Sequence, residues 1–492
     1  MFRHAGSRFY RGAGVFMSMT RRNFLKYAIG VSGILTTGRL SCIHRSKIPK
    51  KRPNIVVIYV DDLGYGDFSS YGGDIPTPNI DSIARQGIRF TDFYVSFPAC
   101  TPSRYSLLTG CYPGRSRHGL NKVIMPGDPY CLDPCEKILP EFLKAAGYAT
   151  GIFGKWHLGS TEKSHFPMHH GFDVFTGHTQ GCMDYFTHCY GPFGNTWYVN
   201  GVLSTEEGYS TDLITNHAVA FIDLHSRNHR PFFAYVPYNA PHYGKTDPGK
   251  IPEGTLELDR SQYQGRVVIN SLQAPQEHVE KFSHVQDIYR RYYSAMVSCL
   301  DDNIGRIIEN LEKNKQMENT LIWLMSDNGG YSISFHGHAS NGKLKGQKST
   351  LSEGGIRVPA MVCWKGNIKP NQTIKQPVSN VDVLPTLASI TDISESLKGL
   401  PIDGKDIKDV LFNGAQMERD LFWQRSQEYA MRRNRWKMVN GKELYDLEND
   451  IGEHENLAAQ YPKKLNELNL SYKKFADSLA KYPCEHEPQQ SI

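Results

Sequence analysis

The sequence predicts an α/β fold: a mixed, mostly parallel sheet flanked by helices, followed by a smaller C-terminal α+β domain. Three observations point there. Short apolar runs rich in β-branched residues recur between residues 53 and 394, as in strands buried on both faces. Segments with helical spacing and helix stop signals alternate with them. From about residue 395 the pattern changes to antiparallel-type strands and one final helix. The expected division is therefore a basic leader over 1–52, a main domain over 53–394 and a C-terminal subdomain over 395–492, consistent with a length of 492 residues.

The leader concentrates the charge. Residues 1–52 hold twelve Lys or Arg and no Asp or Glu, leaving 44 basic against 50 acidic residues in the body. A mildly acidic body excludes a nucleic-acid partner held by counterion release. Within the leader, Arg21-Arg22-Asn23-Phe24-Leu25-Lys26 and the apolar run Tyr27–Gly38 resemble a twin-arginine export signal. The run is too short to span a bilayer as a helix. Met17 or Met19 is a more natural start for such a signal than Met1, and Cys42 after Ser41 is a candidate lipid anchor, although Arg39 stands where a lipoprotein signal wants an aliphatic residue. The expectation is an exported, periplasmic or cell-surface protein whose partners include the twin-arginine machinery.

Each element of the body then follows in turn. "NIVVIYV", 54–60, is bounded by Pro53 and Asp61 and reads as a buried strand. "TPNIDSIARQG" supplies Thr77 as cap, Pro78 at the first helical position and Gly87 at the exit, with Ile80, Ile83 and Ala84 on one face. Further strands are expected at about Tyr148–Phe153, Phe232–Val236 and Leu321–Met325. A final helix is expected over Pro462–Ala480, with Leu465, Leu468, Leu470 and Phe475 packing. Ten cysteines make no disulfide scaffold and show no paired Cys-x-x-Cys units, but Cys131/Cys135 and Cys182/Cys189 are spaced to permit bridges.

Four predicted strands end in chemistry. The first runs into Asp61-Asp62, the second into Lys155-Trp156-His157, the third towards His242, and the fourth into Asp327-Asn328. Each is ordinary turn or loop chemistry alone. In open α/β sheets, however, ligands bind beyond the carboxyl ends of strands, so four such ends suggest one site. Three carboxylates and an amide are hard oxygen donors that suit Ca²⁺ or Mg²⁺.

Cys100, in "PACTPSRYSLLTG", stays open on its residues alone: thiol nucleophile, disulfide half, metal ligand or core residue. Three residues separate it from Arg104, too few for a cysteine-phosphatase loop. Cys-x-Pro-x-Arg followed by Leu-Leu-Thr-Gly resembles the type I, formylglycine-dependent sulfatases, in particular arylsulfatase-like, exported bacterial members. "VDDLGYGD", "GKWHLG", "APHYG", "SDNGG", "GQKSTLSEGGIRVP" and the closing "WKMVNGKELYDLENDIGEHENLA" extend the likeness from residue 53 to the end.

The resemblance implies an alkaline-phosphatase-like fold and hydrolysis of sulfate esters. It implies conversion of Cys100 to Cα-formylglycine by a formylglycine-generating enzyme, whose hydrate carries two hydroxyls on one carbon, one to attack sulfur and one to expel sulfate. Asp61, Asp62, position 100, Asp327 and Asn328 would hold Ca²⁺, in preference to Mg²⁺. Arg104 would hydrogen-bond the hydrate, Lys155 and Lys348 the sulfate oxygens; His242 would protonate the leaving oxygen and His157 take the proton that releases sulfate. Lys348 is chosen over Lys343 and Lys345 because it stands five residues before Glu353. Residues 171–201 and about 245–285 should line the pocket mouth, with Asp184 and His188 as substrate contacts, or alternatively as part of a loop closed by a Cys182–Cys189 bridge; Phe172, Phe175, Tyr185 and Phe186 read as packing. Export points to a sulfated carbohydrate substrate. The rivals are a phosphate or phosphonate monoester hydrolase of the same fold and a sulfated-glycan-binding protein with unmodified Cys100.

Overall fold

The computed structural model describes residues 52–332 and 338–484. The leader, with Arg21, Arg22 and Cys42, lies outside the described residues.

Ten strands form the main sheet. From one edge they run Gln372–Ile374, Ile88–Phe90, Ala360–Cys363, Thr320–Ser326, Asn54–Val60, Phe232–Pro237, Ala149–Lys155, Val174–His178, Trp197–Val199 and Val202–Leu203. The five from Thr320–Ser326 to Val174–His178 are mutually parallel, and antiparallel strands flank them. This is the predicted mixed, mostly parallel sheet. The Asn54–Val60 strand is buried throughout because it lies at the centre with helices on both faces. Its residues alternate between two cores. Ile55, Val57 and Tyr59 face Leu107, Leu108, Leu384 and Leu387, while Val56, Ile58 and Val60 face Ile80, Ile214, Ile304 and Ile307. Burying each such aliphatic side chain contributes about 1.5–3 kcal/mol.

The expected strands run one or two residues further than the sequence indicated, to Lys155, Pro237 and Ser326. The Pro78–Gln86 helix forms as predicted, but the Thr77 hydroxyl does not cap it. That hydroxyl bonds Ser69 and Asp81 instead. The first free amides, of Asn79 and Ile80, are taken by the Asp301 carboxylate from the long Ile288–Lys313 helix. A tertiary carboxylate replaces the local cap, and favours the positive end of the helix.

The change of architecture comes at Asp420. Four antiparallel strands, Asp420–Arg425, Glu428–Arg433, Trp436–Val439 and Glu443–Asp446, form a small sheet covered by the helix Pro462–Ser478. Leu468 and Tyr472 are buried on Met431, Met438 and Leu444, and the Phe475 ring stacks on Phe422 at 4.0 Å. Leu470 is not a packing residue. It is 54% exposed, because two positions beyond Leu468 turn it to the opposite side of the helix. Before this sheet, Ile407, Val410 and Leu411 still belong to the main core.

Cysteine pairing departs from the expected spacings. Cys135 is bridged to Cys484, 349 residues away, while Cys131, Cys182 and Cys189 are thiols. Among the described residues no helix is long and apolar enough to cross a membrane.

Candidate active site

The carboxyl ends of the parallel strands meet the N-terminus of the helix Cys100–Thr109. There a cavity of about 220 Å³ is lined by Cys100, His157, His242 and Lys348, together with Ile124, Cys182, Tyr190, Tyr243 and Lys245. A larger hollow of about 750 Å³ at Tyr71, Arg290 and Lys343 is lined by none of the predicted catalytic or metal residues.

The floor is a buried lattice of opposite charges. Lys155 Nζ donates to Asp61 Oδ2 at 2.6 Å. Lys348 Nζ donates to both Asp62 oxygens, at 2.6 and 2.8 Å. Arg104 Nη2 donates to Asp327 Oδ2 at 2.7 Å and lies 3.8 Å from Asp61 Oδ1, while Nη1 reaches the Lys155 carbonyl. The Arg104 bonds thus tie two strand ends together. Asn328 Nδ2 donates to Asp62 Oδ1 at 2.7 Å. Burial opposes the charge on Asp62, but Lys348 and His242 hold its carboxyl below the usual range. Burial and the neighbouring Asp61 charge push Asp327 up to about 6, against Arg104.

Two buried oxygens in this lattice, Asp61 Oδ1 and Asn328 Oδ1, accept no hydrogen bond. Asp61, Asp62 and His242 offer atoms within 4.8 Å of one another. Uncompensated buried oxygens beside three carboxylates fit a hard divalent cation.

Cys100 is 3% exposed, and burial raises its thiol pKa despite Lys155 and Lys348. A buried protonated thiol is a poor nucleophile. His242 donates from Nδ1 to the Tyr243 carbonyl at 2.8 Å and turns Nε2 towards Asp62 Oδ2, 3.5 Å away. His157 donates from Nε2 to the Ile124 carbonyl at 2.9 Å, leaving Nδ1 without a partner. Burial, with Lys155 adding to it, holds His157 well below the ordinary histidine pKa; burial also holds His242 down, with Asp62 opposing. Gly181 is required beside His157, since a Cβ there would stand 2.8 Å from the ring.

Backbone strain collects around the same groups. Asp62, His157 and Ser349, next to Lys348, have φ of 62°, 57° and 68°. Left-handed conformations of non-glycine residues are costly and persist where surrounding contacts over-determine them. Those contacts are present. Asp67 accepts from Gly64 N, Tyr293, Arg290 and Ser340 N, fixing the loop after Asp62. The Lys348 loop is anchored by Glu353, whose carboxylate meets Lys437 at 2.9 Å and whose N–H donates to Glu453 at 2.7 Å. Burial opposes ionisation of Glu353, yet Lys437 and Arg357 hold it at about 2. The small C-terminal sheet, which carries Lys437, thereby holds Glu353, five residues beyond Lys348 in the chain.

The structure therefore brings Asp61, Asp62, Cys100, Arg104, Lys155, His157, His242, Asp327, Asn328 and Lys348 together. Lys345 is spent on the Glu453 carbonyl, and Lys343 lines the other hollow, so Lys348 is the lysine at this site. Asp184 and His188 are corrections: neither lines the cavity. Asp184 is wholly buried and accepts from Phe186 N, Thr187 N, Thr246 and Gln273, which leaves it nothing to offer a substrate. It pins the 182–190 turn to the sheet of Gly244–Thr246, Thr255–Tyr263 and Arg266–Gln273. His188 donates to the Gly208 carbonyl and packs on Trp197. No Cys182–Cys189 bridge closes this loop. Asp184→Ala is expected to destabilise the fold by about 3 kcal/mol, since it leaves buried donors unpaired. A lower urea midpoint at unchanged m reads this out, and an unaltered midpoint would contradict the structural role.

The family model for sulfatases matches residues 53–393. Arylsulfatase J of Mus musculus is 31% identical over 80% of this chain and 65% of its own length, so the chain spans just under two thirds of that relative. N-acetylgalactosamine-6-sulfatase of Sus scrofa is 32% identical over 76% of this chain and 68% of its own. Among solved structures, Ps i-CgsB in complex with k-i-k-neocarrahexaose superposes with a TM-score of 0.76 at 30% identity, covering 89% of this chain and 96% of that one.

Proposed function

Because the chain belongs to the sulfatase family, we propose that it hydrolyses sulfate esters, on sulfated carbohydrates, to an alcohol and inorganic sulfate. The observation that carries this reading is a 220 Å³ cavity lined by Cys100, His157, His242 and Lys348, with Lys348 bonded to Asp62 beside the buried lattice of Asp61, Lys155, Arg104 and Asp327. The buried thiol of Cys100 is unsuited to attack as it stands, which supports its conversion to Cα-formylglycine by a maturation enzyme. Hydrated by water, that aldehyde carries two hydroxyls on one carbon: one oxygen attacks sulfur and expels the alcohol, and deprotonation of the other collapses the carbon to the aldehyde with loss of sulfate. The residues that would hold Ca²⁺ are Asp61, Asp62, Asp327 and Asn328, and the ion would supply Lewis acidity and offset sulfate charge.

The remaining work falls to side chains. Lys155 and Lys348, at the floor, stabilise the charge that builds on the sulfate oxygens. Arg104 holds Asp327 in place. His242 delivers a proton to the leaving oxygen. Burial lowers its pKa, and the negative charge of an arriving sulfate ester favours its protonation. The unpartnered Nδ1 of His157 accepts the proton whose loss lets sulfate leave.

The carbohydrate reading is supported by the neocarrahexaose in the complex of Ps i-CgsB and by the leader, which we read as a twin-arginine export signal with Cys42 as a candidate anchor. The test is mass spectrometry of the tryptic peptide Phe90–Arg104 from protein made with and without a formylglycine-generating enzyme. The thiol mass is expected to give way to the aldehyde mass, with sulfate release tracking the converted fraction. An unconverted thiol in both samples, or equal turnover of aryl phosphate and aryl sulfate, would overturn the reading.

A further inference from the structure

Every other cation of the site has a carboxylate against it: Lys155 has Asp61, Lys348 has Asp62 and Arg104 has Asp327. Lys245 differs. It lines the same cavity from the Gly244–Thr246 strand and is only partly buried. Its ammonium donates to the side-chain oxygen of Asn270, a neutral group, and stands 5.3 Å from the centre of the Tyr243 ring. Among the described residues it has no carboxylate in ion-pair contact. Asp259 reaches it only through Asn270, accepting from Asn270 Nδ2 at 2.6 Å, which fixes that amide with its oxygen towards the lysine.

The position of this cation is as informative as its charge. The Tyr243 ring lies 4.3 Å from the His242 ring, so His242, Tyr243 and Lys245 form a continuous run along the cavity from a buried imidazole to a partly exposed ammonium. The sulfate to be cleaved belongs at the floor, against Lys155 and Lys348. The alcohol that leaves must lie on the His242 side. A cation without a carboxylate, oriented by a buried amide beyond that histidine, meets the alcohol portion of the substrate and not its reacting sulfate.

Resting on the sulfatase reading, we propose that Lys245 selects substrates whose leaving alcohol carries a second anionic group, a sulfate or a carboxylate. A charge-assisted hydrogen bond to that group replaces water at a half-buried ammonium and is expected to be worth about 10- to 100-fold in kcat/KM. The chemical class is thus a saccharide bearing two or more anions, and a singly sulfated neutral sugar is the poorer substrate.

The experiment uses the full, matured chain and saccharide pairs that differ by one added sulfate or one added carboxylate, with 4-nitrophenyl sulfate as the singly charged reference. Wild-type protein is expected to prefer the doubly anionic member of a pair by about 10- to 100-fold. Lys245→Met is expected to lower kcat/KM for that member at least ten times more than for its partner, mainly through KM. Lys245→Arg, which keeps the charge, is expected to retain most of the preference. The sulfate and carboxylate pairs distinguish which anion is read. Equal wild-type activity on both members, or equal losses in Lys245→Met, would overturn the proposal while leaving sulfate-ester hydrolysis intact. Hydrolysis of no sulfate ester at all by matured protein would remove the functional reading and this proposal with it.

Discussion

Cys100→Ala is expected to lower sulfate release by at least about 10⁴-fold, the scale seen when the nucleophile of a covalent mechanism is removed. The variant should fold like the parent, because the side chain is small and buried and makes no hydrogen bond that holds another residue. Cys100→Ser is the sharper probe. Its hydroxyl stands at the same helix start, above the same lysines and carboxylates, but offers one oxygen only. Attack on sulfur would expel the alcohol and leave a sulfate ester at position 100, with no second hydroxyl to push sulfate out. Alcohol release should therefore stop at about one equivalent per protein, with the peptide Phe90–Arg104 carrying an added sulfate. Continued turnover by either variant would show that position 100 is not the attacking group.

How much of this was legible beforehand depends on where the determining contacts lie. The strands of the centre could be read because burial on both faces demands unbroken apolar runs such as Asn54–Val60. The floor residues were legible because they follow those strands directly in sequence, and the parallel topology gathers strand ends by itself. Asp184 and His188 carried the same residue chemistry without that topological guarantee, and tertiary partners on the Gly244–Thr246 and Arg266–Gln273 strands consumed Asp184. The Cys135–Cys484 bridge and the capping of the Pro78–Gln86 helix by Asp301 depend on partners 349 and 221 residues away, beyond any local signal. Lys245 stands at the start of the 245–285 stretch expected at the pocket mouth, but nothing in the sequence singled it out from its neighbours. What distinguishes it is that, among the described residues, it has no carboxylate in ion-pair contact, a property of three-dimensional surroundings.

Removal of the proposed divalent cation is expected to have the second large effect, because of the balance of charge at the floor. Asp61, Asp62 and Asp327 stand against Arg104, Lys155 and Lys348, three negative groups against three positive ones. A bound Ca²⁺ would leave this floor with two positive charges, and a sulfate monoester brings one negative charge. The product sulfate brings two, so the site is suited to the group as it leaves. Without the ion, the attraction for sulfate is lost. Chelation is therefore expected to reduce sulfate release by about 10³-fold or more, about 4 kcal/mol of lost stabilisation, with recovery on adding Ca²⁺. Binding should also be visible in stability. At a hundredfold excess over Kd, an ion that binds only the folded chain adds about 2.7 kcal/mol, a rise of several degrees in Tm. Asp61→Asn keeps the shape but removes a carboxylate whose Oδ1 has no protein donor, and should abolish most of the Ca²⁺-dependent rise. Because Tm and metal content are read without turnover, they separate loss of the ion from loss of the nucleophile. Fully active protein that contains no metal, with the same Tm in chelator and in Ca²⁺, would refute the assignment of these carboxylates.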